Sequence, residues 1–523
     1  MLILSAWALP LRPGMLLSYN MAQSRLKSAL AWSFAMNWGE QTVLTLLTFV
    51  LAHLLGPHDF GLVAIAGIYL AFVQLFLDQG FGPALIQRRE LEDEHLDSVF
   101  WAQLLCSVIL MAISVAMSNW WAGVNNEPLL VPVILALSTT LPIQGLTVVQ
   151  VAILKRNMSF SRLAIRSNVA ALAGGASGVL LAVSGYGVWA LVAQQVVSAS
   201  TALLLLWGLS DWRPRLRFSW RHFSQLFRFA SGSFAGRLGV FVHTRSDALL
   251  MGVFFGPAAV GLYRLADRLM NQALTLTTRS ITLVSLPHLS ECQGDPAELK
   301  VRVLGFVRMS ATFAFPALAC LAGSAPLIVM LLGPEWAPAA PVLMLLCAVG
   351  TVNALTLFVG PLLQAVSKPH SLAVLVWVLG VINAATLASI GILMSARTAG
   401  QQIVAVALSR LCLAWLIYAP VNLIMASRLC GISLRELLSA IGPALIGGFA
   451  GLLLTHVLSM LLHPVGTPVF VTLVLAAAGG FSIAWVMILC LDVRARSEVH
   501  RIKARIRAAI FPTARHASIH ATQ

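Results

Sequence analysis

The stretch LLGPHDFGL at residues 54–62 returns 200 residues later as FFGPAAVGL at residues 254–262. Four positions are identical in the two copies: Gly56, Pro57, Gly61 and Leu62 recur as Gly256, Pro257, Gly261 and Leu262. Each copy lies between two long apolar segments, and Gly-Pro is a turn signal. We interpret the pair as one helix–turn–helix built twice, so the chain is predicted to have two related halves with a cavity between them.

The composition places the chain in a membrane. Of its 523 residues 59% are hydrophobic and 10% are charged, and the mean hydropathy is +0.87. A soluble domain cannot bury this much apolar surface. Because backbone groups in hydrocarbon must pair within the chain, apolar runs of about 20 residues indicate spanning helices. The predicted fold class is an all-α polytopic membrane protein, and parallel repeats in such proteins are a feature of transporters.

Hydropathy predicts fourteen spans. They cover residues 29–53, 60–83, 98–119, 128–153, 163–183, 186–209, 226–253, 258–288, 303–331, 338–366, 370–393, 401–425, 437–461 and 468–491. The connections after odd-numbered spans contain a single basic residue, Arg397, whereas those after even-numbered spans are rich in lysine and arginine. The positive-inside rule therefore predicts that both termini are cytoplasmic. It also accounts for the net charge of +15 without a nucleic-acid partner.

The repeat and the connections divide the chain. The predicted parts are a doubtful leader at 1–20, an N-lobe of six spans at 21–209, a cytoplasmic interfacial linker at 210–227, a C-lobe of six spans at 228–427, two further spans at 428–491 and a basic cytoplasmic tail at 492–523. The linker alternates aromatic residues with arginines, a composition typical of segments that lie on the inner leaflet. The two lobes are predicted to be pseudo-symmetric.

Span 8 carries a polar stripe. At 100° per residue, one face about 120° wide collects Arg264, Asp267, Arg268, Asn271, Thr275, Thr278, Arg279 and Thr282. A charge at the centre of a span costs about 2.5–3.5 kcal/mol on insertion scales, so such residues face protein or water and are candidates for function. Two simpler interpretations stay open: Arg264 snorkels to the outer headgroups, and Asp267 only neutralises a neighbouring arginine.

Other charged residues lie in spans 1, 2 and 7. Span 7 adds Arg237, Arg245 and Asp247, and one carboxylate cannot neutralise both arginines. Glu40 is interpreted either as a proton or cation site or as a partner for a C-lobe arginine, and Asp78 is a second candidate for coupling or charge pairing. The sum is a cavity with more positive than negative charge, which suits an anionic passenger such as a pyrophosphate group or an acidic sugar.

Motifs of covalent chemistry were not found. The sequence contains no Walker A motif, no Gly-x-Ser-x-Gly and no His-rich ligand set, and its seven cysteines show no metal-ligand or disulfide spacing. We therefore expect no catalytic residue, no cofactor and no metal site.

Several motifs resemble one family. The run from Leu51 to Phe100, with its LGPHDFGL, DQGFGPALIQR and VFW elements, is similar to polysaccharide exporters of the Wzx or colanic-acid-exporter kind in the multidrug/oligosaccharidyl-lipid/polysaccharide (MATE-like) flippase superfamily. Further matching motifs are YGVWALV at 186–192, WRP at 212–214, RSD at 245–247, GLY at 261–263 and GPEW at 333–336. Singly each is weak, but they extend over most of the chain up to about residue 430.

The resemblance implies a two-lobed bundle that works by alternating access. Its implied substrate is an undecaprenyl-diphosphate-linked oligosaccharide that crosses the bacterial inner membrane. Its implied partners are membrane lipid and, from the same pathway, a polymerase and chain-length regulators. Three alternatives stay open: a lipid II flippase, a multidrug or cation antiporter of the same superfamily, and a membrane polysaccharide polymerase or ligase. The absence of any long outer loop disfavours the last of these.

Overall fold

The computed structural model describes residue 39 and residues 41–77, 81–88, 92–224, 234–292, 294–462 and 467–492. Within these ranges all regular secondary structure is helical. The predicted leader, most of the tail, Glu40 and Asp78 lie outside the described residues.

Nineteen α-helices follow one another in the described part of the chain. They are α1 (Gln41–Leu54), α2 (Pro57–Leu77), α3 (Phe81–Gln87), α4 (Asp93–Val124), α5 (Leu130–Ser138), α6 (Thr140–Gly145), α7 (Val148–Arg156), α8 (Phe160–Val183), α9 (Val188–Leu209), α10 (Phe234–Ser290), α11 (Pro296–Gly323), α12 (Ala325–Leu332), α13 (Ala339–Thr356), α14 (Val359–Ala365), α15 (Pro369–Met394), α16 (Ala399–Leu413), α17 (Ala419–Cys430), α18 (Leu434–Leu462) and α19 (Val469–Leu491). A 3₁₀ turn at Pro334–Trp336 precedes α13, and a π-helical turn at Ala414–Tyr418 joins α16 to α17.

The described residues contain fewer candidate spans than the fourteen predicted for the whole chain. Among the described residues eleven helices are long and apolar enough to cross a membrane, or up to twelve if the bent pair Leu130–Gly145 and Val148–Arg156 is one span. The predicted total of fourteen is therefore not confirmed. Predicted spans 7 and 8 both lie in α10, which consists of two helices joined across a kink at Gly256 (φ 77°, ψ 179°), within the connection predicted at 254–257. Glycine adopts this positive φ without steric cost.

The predicted span at 128–153 is interrupted. It consists of α5, α6 and α7, with a bend of 44° before α7. The hydroxyls of Thr139 and Thr140 donate hydrogen bonds to the carbonyls of Ala136 and Leu137, at 2.6 and 2.7 Å. Such bonds to the preceding turn compete with the regular helical pattern and bend helices.

The two copies of the repeated stretch contact each other. Pro57 is the first residue of α2, where its missing N–H leaves no helical hydrogen bond unmade. A Cβ atom added at Gly61 would lie 2.8 Å from Pro257 Cα and nearer still to the Pro257 carbonyl oxygen. One added at Gly261 would lie 2.8 Å from the Pro57 carbonyl carbon. The copies therefore meet backbone to backbone, a contact in which only glycine leaves room at these two positions.

The chain folds into two compact units. The first extends to Gly261 and includes Gly391–Ser395, and the second comprises Leu262–Ile390 and the chain from Ala396 onward. In the first unit α8 packs on α9, and α2 packs on α5. In the second unit α11 packs on α13 and α18, and α18 packs on α19. The lobe boundaries proposed from the sequence stay a prediction.

The linker is attached to the start of α4. The Arg215 N–H donates a hydrogen bond to Asp97 Oδ1 at 3.0 Å, and the Ser219 N–H donates to Ser98 Oγ at 2.9 Å. Two linker aromatics, Trp212 and Phe223, pack against the buried cluster around Phe100. Other linker side chains point outward: Leu216 is 89% exposed and Trp220 is 70% exposed. Its position on the inner leaflet stays a prediction.

Candidate functional site

The first unit contains a cavity of about 960 Å³ with a positively charged wall. Its cationic lining residues are Lys155 at the end of α7, Arg166 near the start of α8 and Arg237 near the start of α10. Among the described residues that line the cavity there is no carboxylate. The volume lies at the upper end of the range of about 300–1,000 Å³ found for small-molecule sites.

The cationic side chains meet at the cavity because several helices end or bend there. The cavity lies beside the bend that separates α6 from α7, and Thr147 and Val148 at this bend are part of its wall. One guanidinium is oriented by a neighbouring helix: Arg166 Nε donates a hydrogen bond to the Ala202 carbonyl of α9 at 3.4 Å. Helices that end or bend at the cavity thus bring side chains from distant segments to one wall.

Glutamine side chains complete the polar lining. Gln74, Gln103 and Gln144 come from α2, α4 and α6. Gln103 is 2% exposed, and its Nε2 donates a hydrogen bond to the Leu77 carbonyl at 3.1 Å. Leu77 is the last residue of α2, where carbonyls lack a helical donor, so Gln103 satisfies an otherwise unpaired acceptor. The remaining wall is mostly aliphatic, so the cavity combines an apolar body with convergent cations and amides.

The second unit contains a charge cluster centred on Asp267. Arg264 Nη1 lies 3.5 Å from Asp267 Oδ2, and Arg410 Nη1 from α16 lies 3.4 Å from Asp267 Oδ1. Arg410 also donates a hydrogen bond to the hydroxyl of Tyr263 at 2.6 Å, and Tyr263 is fully buried. Asn271 Nδ2 donates to the Asp267 carbonyl at 2.8 Å. Two guanidinium groups share one carboxylate, so the cluster keeps a net positive charge.

The polar stripe lies on the side of α10 that is not packed in its own unit. Arg268, Asn271, Thr275, Arg279 and Thr282 are exposed, and only Thr278 of the stripe is buried. The intervening apolar side chains are buried, and they are Leu262, Leu265, Ala266, Leu269, Met270 and Leu274. The helical periodicity expected from the sequence is therefore present, with the charged face left open.

The remaining predicted residues have different positions. Arg245 is half-buried, and Asp247, 3% exposed, lies on the same stretch of α10. Arg308 of α11, which was not among the predicted site residues, forms an ion pair of 3.5 Å with Asp492 at the end of α19. Glu40 and Asp78 fall outside the described residues, so their coupling roles stay a prediction.

Sequence reasoning missed several of these groups. No site role was predicted for Lys155, which lies in the basic connection after predicted span 4, or for Arg410, which lies in predicted span 12. Gln103 and Gln144 lie inside predicted spans 3 and 4, where an amide is an unusual polar group. Their position inside a span was the available signal, but no role was predicted for either amide.

Comparisons with known proteins agree with this architecture. A family described as "Polysaccharide biosynthesis protein" matches residues 50–341, more than half of the chain. The succinoglycan biosynthesis transport protein ExoT of Rhizobium meliloti is 28% identical over 330 residues, which are 63% of this chain and 66% of ExoT. The teichuronic acid biosynthesis protein TuaB of Bacillus subtilis is 27% identical over 54% of this chain and 59% of its own. The lipopolysaccharide biosynthesis protein WzxC of Escherichia coli is 26% identical over 61% and 65%.

Each of these alignments spans less than two thirds of the relative's length.

Two solved structures share the fold. The lipid II flippase MurJ in an inward closed conformation has a TM-score of 0.67 at 13% sequence identity, over 90% of this chain and 99% of MurJ. An inward-facing multidrug resistance MATE family transporter has a TM-score of 0.55 at 15% identity, over 75% of this chain and 96% of its own. The chain therefore shares its all-helical fold with these two transporters, and the predicted fold class is confirmed.

Proposed function

Because the chain belongs to the polysaccharide biosynthesis protein family, we propose that it moves a polyprenyl-diphosphate-linked anionic oligosaccharide across the bacterial inner membrane by alternating access. The transport involves no covalent chemistry. Both termini of the protein lie on the cytoplasmic side of the membrane. The names of the relatives support this proposal. One is a transport protein of succinoglycan biosynthesis, and the others are proteins of teichuronic acid and lipopolysaccharide biosynthesis.

The observation that carries the proposal is the cation-lined cavity of the first unit. Arginine and lysine donate charge-assisted hydrogen bonds that match the oxygens of a diphosphate. In the predicted topology Lys155 and Arg166 lie near cytoplasmic helix ends, and Arg237 lies further inside span 7, in its cytoplasmic half. A lipid-linked precursor made on the cytoplasmic leaflet would present its diphosphate at this depth. The glutamines then provide donors and acceptors for the first sugar residues.

The second unit supports an anionic cargo independently. The Asp267 cluster keeps one net positive charge, and the exposed Arg268 and Arg279 lie along the same helix. We assign Arg237, Arg245, Arg264, Arg268, Asn271 and Arg279 to cargo binding. A purely cationic drug would meet like charge in both units, which disfavours the multidrug alternative.

A reconstituted assay tests the proposal. The protein is placed in liposomes that contain a fluorescent polyprenyl-diphosphate oligosaccharide, and flipping is followed by the access of an impermeant lectin to the sugar. Removing one charged contact is worth about 1.5–3 kcal/mol, so Arg237→Ala should slow flipping at subsaturating cargo by about 10- to 100-fold. Arg237→Lys, which keeps the charge, should retain part of the activity.

Val240→Ala is the matched control, because Val240 lines the same cavity on the same helix without charge. It should flip at nearly the wild-type rate. Arg268→Ala and Arg279→Ala test the second unit in the same way. Normal flipping by a variant in which Lys155, Arg166 and Arg237 are all alanine would contradict the proposal, provided that the variant reconstitutes in normal amount.

A further inference from the structure

The attachment of the linker to α4 creates a cluster of metal-ligating groups outside the cavity. His222, on the helical turn at residues 220–224, lies against Glu92, Glu94 and His95 at the start of α4. One ligand atom each from Glu92, His95 and His222 can be chosen so that all three lie within 4.8 Å of one another. Two imidazoles and a carboxylate are a ligand set that zinc accepts.

His222 is already oriented for such a role. Its Nε2 lies 3.4 Å from Glu92 Oε2. Its Nδ1 lies 2.7 Å from Ser219 Oγ and 3.3 Å from Glu94 Oε2. A proton on Nδ1 that is donated to Ser219 or Glu94 leaves the Nε2 lone pair directed toward Glu92. Metal-ligating histidines typically donate their second ring N–H to a carboxylate or another acceptor in this way.

His95 supplies the second imidazole from a fixed position. It is 1% exposed, and its ring centroid lies 4.3 Å from that of His222. Its Nδ1 accepts a hydrogen bond from the Glu92 N–H at 3.3 Å, as part of the capping box of α4. Ligation by either ring nitrogen gives up that bond, because the accepting nitrogen then binds the metal or carries the proton. Loss of this hydrogen bond would lower the affinity of the site for the metal.

We propose that Glu92, His95 and His222 bind a divalent transition-metal ion, with zinc the best fit, and that the ion fastens the linker to the start of α4. In a tetrahedral zinc site the donor atoms are about 3.3–3.5 Å apart, so His222 and Glu92 need little movement and the set as a whole contracts by about 1 Å. A cation is disfavoured at a helix N-terminus, but Asp93 and Glu94 in the first turn of α4 offset that field. The spacing of these residues in the sequence did not indicate this site.

With this site, the attachment of the linker to α4 would depend on the availability of zinc. The linker leads from α9 into α10, the helix that carries Arg237 of the cavity wall. With zinc bound, the linker gains a bridge in addition to its hydrogen bonds from Arg215 and Ser219 to α4. The inference does not depend on the identity of the cargo.

Zinc binding by the full chain in detergent tests the site. The protein carries no histidine tag, its exposed Cys412 and Cys490 are alkylated, and bound zinc is counted by elemental mass spectrometry after chelator treatment, zinc addition and gel filtration. Wild type should hold about one zinc per chain more than His222→Ala. Glu94→Gln, which removes a carboxylate next to His222 Nδ1, should weaken zinc affinity by about 10- to 100-fold.

His370→Ala is the matched control, since it removes an exposed imidazole outside the cluster, at the start of α15. It should bind zinc as wild type does. As a second measurement, zinc should slow tryptic cleavage at the exposed Arg217 and Arg221 of the linker in wild type and His370→Ala, but not in His222→Ala. Equal zinc content and equal cleavage rates in wild type and His222→Ala would overturn the proposal. If His95→Ala fails to fold, His222→Ala and Glu92→Gln decide the question.

Discussion

The backbone contact between the two copies of the repeat predicts an unusual sensitivity to a single methyl group. In Gly61→Ala the new Cβ would lie 2.8 Å from Pro257 Cα, whereas carbon atoms in contact are about 3.5–4.0 Å apart. The neighbouring atoms belong to the backbone, so no side chain can rotate away. The two backbone segments must therefore move apart to accommodate the methyl group.

The size of the effect follows from two opposing terms. Overpacking of this kind costs about 1–3 kcal/mol, and a clash with backbone belongs at the upper end. Replacing glycine by alanine within a helix gains about 1 kcal/mol. We therefore expect Gly61→Ala to lower the free energy of unfolding by about 2 kcal/mol. Gly67→Ala, on the same helix but with no neighbouring atom within 4 Å of the new Cβ, should instead be neutral or stabilising by up to about 1 kcal/mol.

Thermal unfolding of the purified protein in detergent, followed by intrinsic fluorescence, measures the difference between the two variants. Gly261→Ala should resemble Gly61→Ala, because its Cβ would lie 2.8 Å from the Pro57 carbonyl carbon and 3.0 Å from Gly61 N. The double variant should cost less than the sum of the singles, since the first substitution already separates the copies. Equal melting temperatures for Gly61→Ala and Gly67→Ala would refute the backbone contact at Gly61. Strictly additive effects of Gly61→Ala and Gly261→Ala in the double variant would show that the two positions do not belong to one shared contact.

Two further predictions concern the second unit. Asp267→Asn removes the carboxylate shared by Arg264 and Arg410, so it should lower stability by about 1.5–3 kcal/mol, and combining it with Arg410→Gln should cost less than the sum, as measured by a thermal double-mutant cycle. Strict additivity would show that Asp267 and Arg410 do not interact. Gly480→Ala places a Cβ against Thr455 and 2.7 Å from the Gly451 carbonyl oxygen, whereas Gly442→Ala meets nothing within 4 Å. Only the former should weaken the packing of α19 on α18, by about 1–3 kcal/mol, and a melting temperature equal to that of Gly442→Ala would contradict this.

The class of fold was predictable because spanning helices leave a signal over a length of about 20 residues. The interruption of one predicted span was not. The stretch at 128–153 is apolar almost throughout. Hydropathy does not report that the hydroxyls of Thr139 and Thr140 donate hydrogen bonds to the preceding turn, where α5 ends and α6 begins. In α10 the repeated Gly-Pro did indicate a break, because two helices join there across a kink at Gly256, whose positive φ favours glycine. The interruption at 128–153 depends on local hydrogen bonding, which composition does not record.

The stripe on α10 was predictable from helical periodicity, because one helix contains all of its members. The cavity was not, since Lys155 and Arg237 come from separate helices and only the tertiary structure places them on one wall. The same holds for Arg410, which lies 143 residues from Asp267 in sequence. Polar residues that act within one element can be found from a sequence, whereas those that act between elements need the coordinates.

The carboxylate of Asp267 has a consequence for how a cargo would leave. Arg264 and Arg410 already have a carboxylate partner, which occupies a place that a phosphate could take. If the proposed function is correct, an arriving phosphate would exchange with this internal counter-ion, and Asp267 would pair with the arginines again when the cargo leaves. The net binding energy would then be the difference between two anions, and a cargo bound this weakly would not be trapped halfway across the membrane.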